Sequence, residues 1–185
     1  MLKSGNLMGG TPKTSPPLSA QDELLFTQAS ICFSTGQKGE AFIYFSRLGA
    51  GREHPAVLYN LALCHFKAGT GQDTLTEAQK CLEKTLALLP AATQEPAQPV
   101  MQSATFKSML VHEAKTCSYQ APMSLELAKS PEMARIRVLR LLIDVYAASG
   151  QWSEVIRLSG SFGGTEYLNV TAAVVQARRS LGETA

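Results

Sequence analysis

A short pattern that occurs twice at a constant separation constrains this chain more than any other feature. The pattern consists of apolar, small and glycine positions within twelve residues, and it recurs 33 residues further along the chain. The matched pairs are Leu25 with Leu58, Ala29 with Ala62, Phe33 with Phe66 and Gly36 with Gly69, and Phe26 matches Tyr59 in aromatic character. A fixed period of this size is typical of stacked units, each of which buries its apolar face against a neighbour.

Each copy of the pattern predicts a pair of helices joined by a turn. Apolar and small residues at spacings of three and four predict a first helix that ends at a glycine, Gly36 or Gly69. The inward stripes of the second helices are Ala41, Phe45 and Leu48 in the first copy and Ala78, Leu82 and Leu86, followed by Pro90, in the second. Two helices approach closely only where a side chain is small, so Ala29 and Ala62 are expected at the crossings, opposite Ala41 and Ala78.

The stretch from His54 to Gly69, followed by Thr76 to Pro90, resembles a tetratricopeptide repeat. The small, turn and closing-proline positions of that family fall on Ala62, Gly69 and Pro90. The first copy, from Asp22 to about His54, has the same pattern with Gln28 in place of a large apolar residue. The resemblance implies an all-α, tetratricopeptide-like helix-hairpin array, that is, a right-handed α-solenoid. Helical hairpins that need the same alanines without belonging to the repeat family are the alternative.

A third pair is predicted from Met133 to Ser149 and from Gly150 to Leu158, although Ile143 and Val155 stand where small residues are expected. Thr165 to Leu181 is predicted to form a C-terminal capping helix.

Two segments depart from the repeats. Residues 1–18, rich in Gly, Pro, Ser and Thr, are expected to be a disordered tail, and residues 19–185 to form the helical domain, with Ser19 capping its first helix. An irregular insertion at about 91–130 begins with a proline-bearing linker and continues with a helix from Ala104 to Cys117. That helix is a degenerate repeat, or a lid or plug for the groove of the array; a disordered loop is the third alternative.

Composition and motifs exclude several function classes. The 17 basic and 15 acidic residues form no long run, which disfavours nucleic acid as a partner. No signal peptide and no apolar run of about 20 residues is recognised, so a cytoplasmic protein without a membrane partner is expected. The chain has no phosphate loop, nucleophile elbow or metal-ligand spacing. We therefore expect no enzyme activity, small-molecule substrate, cofactor or metal, and we expect the four cysteines to be buried free thiols.

In tetratricopeptide proteins the first helices of successive pairs line a concave groove that binds a polypeptide. The resemblance implies these partner-binding residues: Phe26, Ser30 and Phe33 from the first pair, Tyr59, Asn60, Leu63, Phe66 and Lys67 from the second, and Arg137 and Arg140 from the third. Phe33 and Phe66 fit a position in the core equally well. The predicted function is a protein–protein interaction module, adaptor or chaperone-like, whose partner is an apolar helical or extended segment with acidic flanks. A structural subunit of a stable multiprotein assembly is the alternative.

Overall fold

The computed structural model describes residues 17–51, 53–69, 71–89, 104–162 and 165–182, and every regular element among them is helical. The predicted all-α class is therefore confirmed. The elements are α1 (Ala20–Ser34), α2 (Lys38–Gly49), α3 (Pro55–Ala68), α4 (Gln72–Leu88), α5 (Ala104–Lys115), a 3-10 turn (Ser118–Gln120), α6 (Leu125–Ala128), α7 (Pro131–Ala148), α8 (Trp152–Ser159), a second 3-10 turn (Gly160–Phe162) and α9 (Leu168–Ser180).

The ends of the first helices have local causes that are present in the sequence. The Ser19 hydroxyl accepts a hydrogen bond from the Asp22 backbone N–H at 3.2 Å, and the Asp22 carboxylate accepts from the Ser19 N–H, which completes a capping box. After α1, Gly36 has a φ of +87°, a left-handed conformation that favours glycine. Helix α3 has Pro55 in its first turn, and His54 Nδ1 accepts from the Ala56 N–H at 3.2 Å.

Helices α1 to α4 pack in the order of the chain, each against the next. The small residues predicted at the crossings, Ala29, Ala41, Ala62 and Ala78, are completely buried. The helices α1 and α2 also meet through the rings of Phe26 and Phe45, whose centroids are 5.5 Å apart in an edge-to-face arrangement. The two predicted hairpins are therefore present, whereas the superhelical arrangement and the repeat family stay predictions.

The insertion interrupts the series of helices in the sequence but not in the packing. Helix α4 packs directly on α7, and α7 in turn packs on α8 and α9. Helix α9 begins at Leu168 instead of the predicted Thr165, because the buried ring of Tyr167 lies 5.1 Å from that of Phe162 and the backbone of Tyr167 is extended. Helix α9 thus packs on α7 and α8, as a capping helix would, but it is shorter than predicted.

The predicted tail and insertion are described only in part. Residues 1–16 and 90–103, which include the proline-bearing linker, lie outside the described residues, and Leu18 is buried in the core. The helix predicted from Ala104 to Cys117 is present as α5 and ends at Lys115. All four cysteines are free, but only Cys64 is fully buried; Cys117 is exposed, so the expectation of four buried thiols is wrong.

Two helices are buried nearly all round, and they position the candidate site. In α3 every residue from Ala56 to Cys64 is buried, and α7 is buried in the same way from Val138 to Ile143. Helices α2 and α4 pack on α3, and α6 contacts both α3 and α7. A helix that lined an open groove would keep one face in water. The burial of α3 and α7 therefore means that another part of the chain covers that face.

Candidate functional site

The ten predicted partner-binding side chains are mostly withdrawn from solvent. Phe26, Phe33, Tyr59, Asn60, Leu63 and Arg140 are buried, whereas Ser30, Phe66, Lys67 and Arg137 are half-buried. An open groove would leave these side chains exposed, and this expectation is wrong for Phe26, Tyr59, Asn60, Leu63 and Arg140. The burial of Phe33 agrees instead with the core position that the sequence left open. Phe26 is directed at Phe45 inside its own hairpin, while Tyr59, Asn60 and Arg140 are covered by residues of the insertion. Their role in binding a partner stays a prediction.

We call the covering stretch, residues 113–123, the internal segment. It begins in the last turn of α5, continues through the 3-10 turn Ser118–Gln120 and becomes extended before α6. The groove is the surface of α3 and α7 on which it lies. The chain itself thus occupies the face where the repeat resemblance puts a bound polypeptide.

The side chains of helix α3 bond chiefly to main-chain atoms of the internal segment. The Asn60 amide donates to the Met123 carbonyl at 3.1 Å, and its carbonyl oxygen accepts from the Met123 N–H at 2.7 Å. One helical position earlier, the Tyr59 hydroxyl donates to the carbonyl of Tyr119. Lys67, two turns further along, donates to the side-chain oxygen of Gln120 at 2.5 Å. These three side chains of α3 all contact the internal segment.

Helix α7 holds the other side of the internal segment through Arg140. Its guanidinium donates to the Glu113 carbonyl and, at 2.9 Å, to the Thr116 carbonyl. The same group lies close to two aromatic rings, with its central carbon 4.1 Å from the Tyr119 centroid and 5.0 Å from that of Tyr167. Asn169 of α9 accepts from Arg140 Nε at 2.8 Å. Arg140 is therefore a completely buried cation whose three nitrogens all donate hydrogen bonds.

Carboxylates on both sides complete the polar cluster. Glu113 accepts from Arg137 Nε at 2.8 Å, and its second oxygen, which has no hydrogen bond, lies 3.5 Å from Arg140 Nη1. Asp144, one turn after Arg140, accepts from the Tyr119 hydroxyl at 2.6 Å and from Asn169 at 2.8 Å. Burial of charge is tolerated where partners of opposite sign are this close.

Burial also determines the protonation of the groups in the groove. It lowers the pKa of Arg140, although Tyr119, Glu113 and Asp144 act in the opposite direction, and an arginine remains charged at neutral pH after such a shift. Burial raises the pKa of Tyr59, and burial together with Asp144 raises the pKa of Tyr119. Both tyrosines therefore keep the proton that they donate in these hydrogen bonds.

The groove is lined by hydrogen-bond donors and acceptors that already have partners in the internal segment. Within the described ranges no group of three or more His, Cys, Asp or Glu side chains could hold a metal ion. Cys64 lies on α3, the helix that carries Tyr59 and Asn60. Burial raises the pKa of its thiol to about 12, so the thiol stays protonated at neutral pH. No helix in the described part of the chain has the length and apolar character that crossing a membrane requires.

Sequence reasoning missed the groove residues that come from outside the three predicted helix pairs: Glu113, Tyr119, Met123, Tyr167 and Asn169. One signal was available. Helix α7 is largely apolar, yet it carries Arg137, Arg140 and Asp144 on one stripe. Charged side chains on a buried helix require polar or oppositely charged partners from the parts of the chain that cover it.

Comparison with known proteins identifies no relative. No family model matches the sequence, and neither the curated proteins nor the solved structures contain a significant match. The resemblance to tetratricopeptide repeats therefore rests on the residues of this chain alone.

Proposed function

We propose that this chain is a protein–protein interaction module, adaptor or chaperone-like, that binds a segment of a partner polypeptide in the groove of α3 and α7. The observation that carries the proposal is that a stretch of polypeptide, the internal segment, already lies in that groove. The partner segment would take its place. The sequence resemblance supports the same surface, because α3 and α7 are the first helices of their pairs.

The contacts of the internal segment explain why another polypeptide could replace it. The Asn60 amide, the Tyr59 hydroxyl and the Arg140 guanidinium all bond to main-chain atoms. Every polypeptide has such atoms, so these bonds do not depend on which side chains the bound segment carries. A groove with this chemistry can also bind a segment of a second protein that follows the same backbone course, provided that the side chains fit and the internal segment is displaced.

Replacement makes the partner's affinity depend on how firmly the internal segment is bound. A partner binds only the fraction of molecules in which the groove is open, and its apparent affinity falls in proportion to that fraction. A substitution that weakens only the internal segment therefore increases the affinity for the partner. A substitution on the groove side weakens both bound segments, so its effects largely cancel.

The test uses the full-length chain and Tyr119→Phe, which removes only the hydroxyl that donates to Asp144. Peptides selected by the chain from a displayed library of natural sequences are synthesised, and their affinities are measured by fluorescence anisotropy. A hydrogen bond to a charged group contributes about 1.5–3 kcal/mol, so the affinity should rise by a factor of about 10 or more. The matched control is Tyr146→Phe, which removes a hydroxyl bond to Glu83 at 3.2 Å outside the groove and should leave the affinity unchanged.

Selected peptides that bind Tyr119→Phe and the unsubstituted chain equally well would contradict the proposal, because their site would then lie elsewhere. The surface of the first hairpin favours one such alternative, a structural subunit of a larger assembly. Leu24 and Ile31 lie on one side of α1 with 73% and 58% of their surfaces exposed, and Ile43 of α2 is 62% exposed. A subunit held there would lose its partner on Ile31→Lys and would not respond to Tyr119→Phe.

A further inference from the structure

The side chains of the internal segment, unlike its main chain, have specific requirements on the groove side. The most demanding is the carboxylate of Glu113, which is 3% exposed and faces Arg137 and Arg140 of α7. Arg137 donates to it from Nε at 2.8 Å. A bound segment without an acid at this place would leave two guanidinium groups without the carboxylate that now balances them in a site with little access to water.

The second requirement concerns the place of Tyr119. Its ring lies close to Arg140, with the guanidinium carbon 4.1 Å from the ring centroid, and its hydroxyl donates to Asp144 at 2.6 Å. An aromatic ring is needed for the first contact and a hydroxyl for the second. Tyrosine meets both requirements, whereas phenylalanine meets only the first and leaves a carboxylate oxygen without this donor.

The third requirement is an apolar side chain at the place of Met123. This side chain is completely buried, while the backbone N–H and carbonyl of the same residue bond to Asn60. An unbranched, flexible side chain such as methionine adapts readily to a buried position. The residues that meet these requirements are Glu113, Tyr119 six residues later and Met123 four residues after that. The segment leaves a helix, makes one 3-10 turn and becomes extended.

We propose that the internal segment carries the recognition pattern of the partner. This inference rests on the proposed function and specifies the ligand of the same groove. The partner segment has an acidic residue at the end of a helix, a tyrosine six residues later and an unbranched apolar residue four residues after that. The carboxylate binds Arg137 and Arg140, the ring stacks on Arg140, and the main chain bonds to Tyr59 and Asn60.

The experiment supplies the pattern as a separate molecule. The probe is a labelled peptide with the sequence of residues 110–125 and serine in place of Cys117, and the host is the full-length chain with Tyr119→Ala. A segment tethered in the same chain has an effective concentration of about a millimolar, so the unsubstituted chain should bind the probe at least about ten times more weakly than the host. Circular dichroism establishes that the host is folded.

Two altered peptides test the acid. The peptide with Glu113→Gln should bind the host at least about ten times more weakly than the probe, because it offers no charge to the two arginines. The peptide with Lys115→Gln, which changes an exposed charge two residues away, should bind within about twofold of the probe. With Arg137→Met added to the host, the difference in affinity between the probe and the Glu113→Gln peptide should fall to about threefold or less.

The outcomes separate this inference from the proposed function. Equal affinity of the host for the probe and for the Glu113→Gln peptide would overturn the acidic pattern while leaving a groove that accepts an external segment. A folded host that binds none of the peptides up to about a millimolar would overturn both, because the groove would then not exchange its occupant. If Tyr119→Ala does not fold, Tyr119→Phe serves as the host, and the same comparison of peptides decides.

Discussion

Asn60 provides the most direct measure of how firmly the groove holds the internal segment. Its side chain is completely buried, and both of its polar groups bond to the main chain of Met123, at 3.1 and 2.7 Å. The change Asn60→Leu keeps a side chain of similar size and removes both hydrogen bonds. It leaves the amide and the carbonyl of Met123 without these partners at a buried position.

The expected loss follows from those two groups. A buried donor or acceptor that loses its partner costs about 1–3 kcal/mol, and leucine recovers part of this because it is more easily removed from water than asparagine. We therefore expect Asn60→Leu to lower the free energy of unfolding by about 2–4 kcal/mol. The loss has an upper limit. If keeping the internal segment in the groove costs more free energy than releasing it, the segment detaches and its polar groups bond to water.

Urea denaturation followed by circular dichroism measures the loss in the free energy of unfolding. Hydrogen exchange at the Met123 amide measures whether the internal segment opens locally. The matched control is Gln176→Leu, which removes an exposed amide from α9 and should change stability by less than about 0.5 kcal/mol. Met123 should lose its protection from exchange in Asn60→Leu and keep it in the control. A loss below about 0.5 kcal/mol with full protection of Met123 would refute the view that Asn60 attaches the internal segment.

Other consequences of the structure are open to measurement. Ala62→Leu should lower the free energy of unfolding by about 1–3 kcal/mol through overpacking at a fully buried helix crossing, and an unchanged melting temperature would contradict this packing. Burial lowers the pKa of His54, so the unfolded chain binds more protons there, and stability should decrease as the pH falls from 7 through about 6.5 and below. His54→Asn should reduce this decrease and keep an acceptor for the helix cap; a pH profile equal to that of the unsubstituted chain would assign the effect elsewhere. Iodoacetamide should modify the exposed Cys117 in the folded protein and reach Cys64, whose pKa is raised to about 12, only on unfolding, as peptide mass analysis would establish.

The sequence by itself determined the helices of the first two pairs and the places where they cross. Each of these features depends on residues close together in the chain: the glycine turn at Gly36, the capping box at Ser19 and the crossing alanines of the first two helix pairs. The resemblance to tetratricopeptide repeats also implied that Tyr59 and Asn60 of α3 face a bound polypeptide. Local spacing is sufficient to predict the helices and their crossings, because helix propensity, capping and amphipathic patterning act over a few turns.

Only the tertiary structure decided what lies against Tyr59 and Asn60. Asn60 and Met123 are 63 residues apart, and their hydrogen bonds use the main chain of Met123, which has no sequence signature. Arg140 likewise bonds to carbonyl groups of the insertion, so its burial could not be inferred from the residues that flank it in α7. A pattern along one helix predicts which side chains share a face. Which segment covers that face depends on contacts between residues far apart in the sequence. Here the covering segment belongs to the same chain.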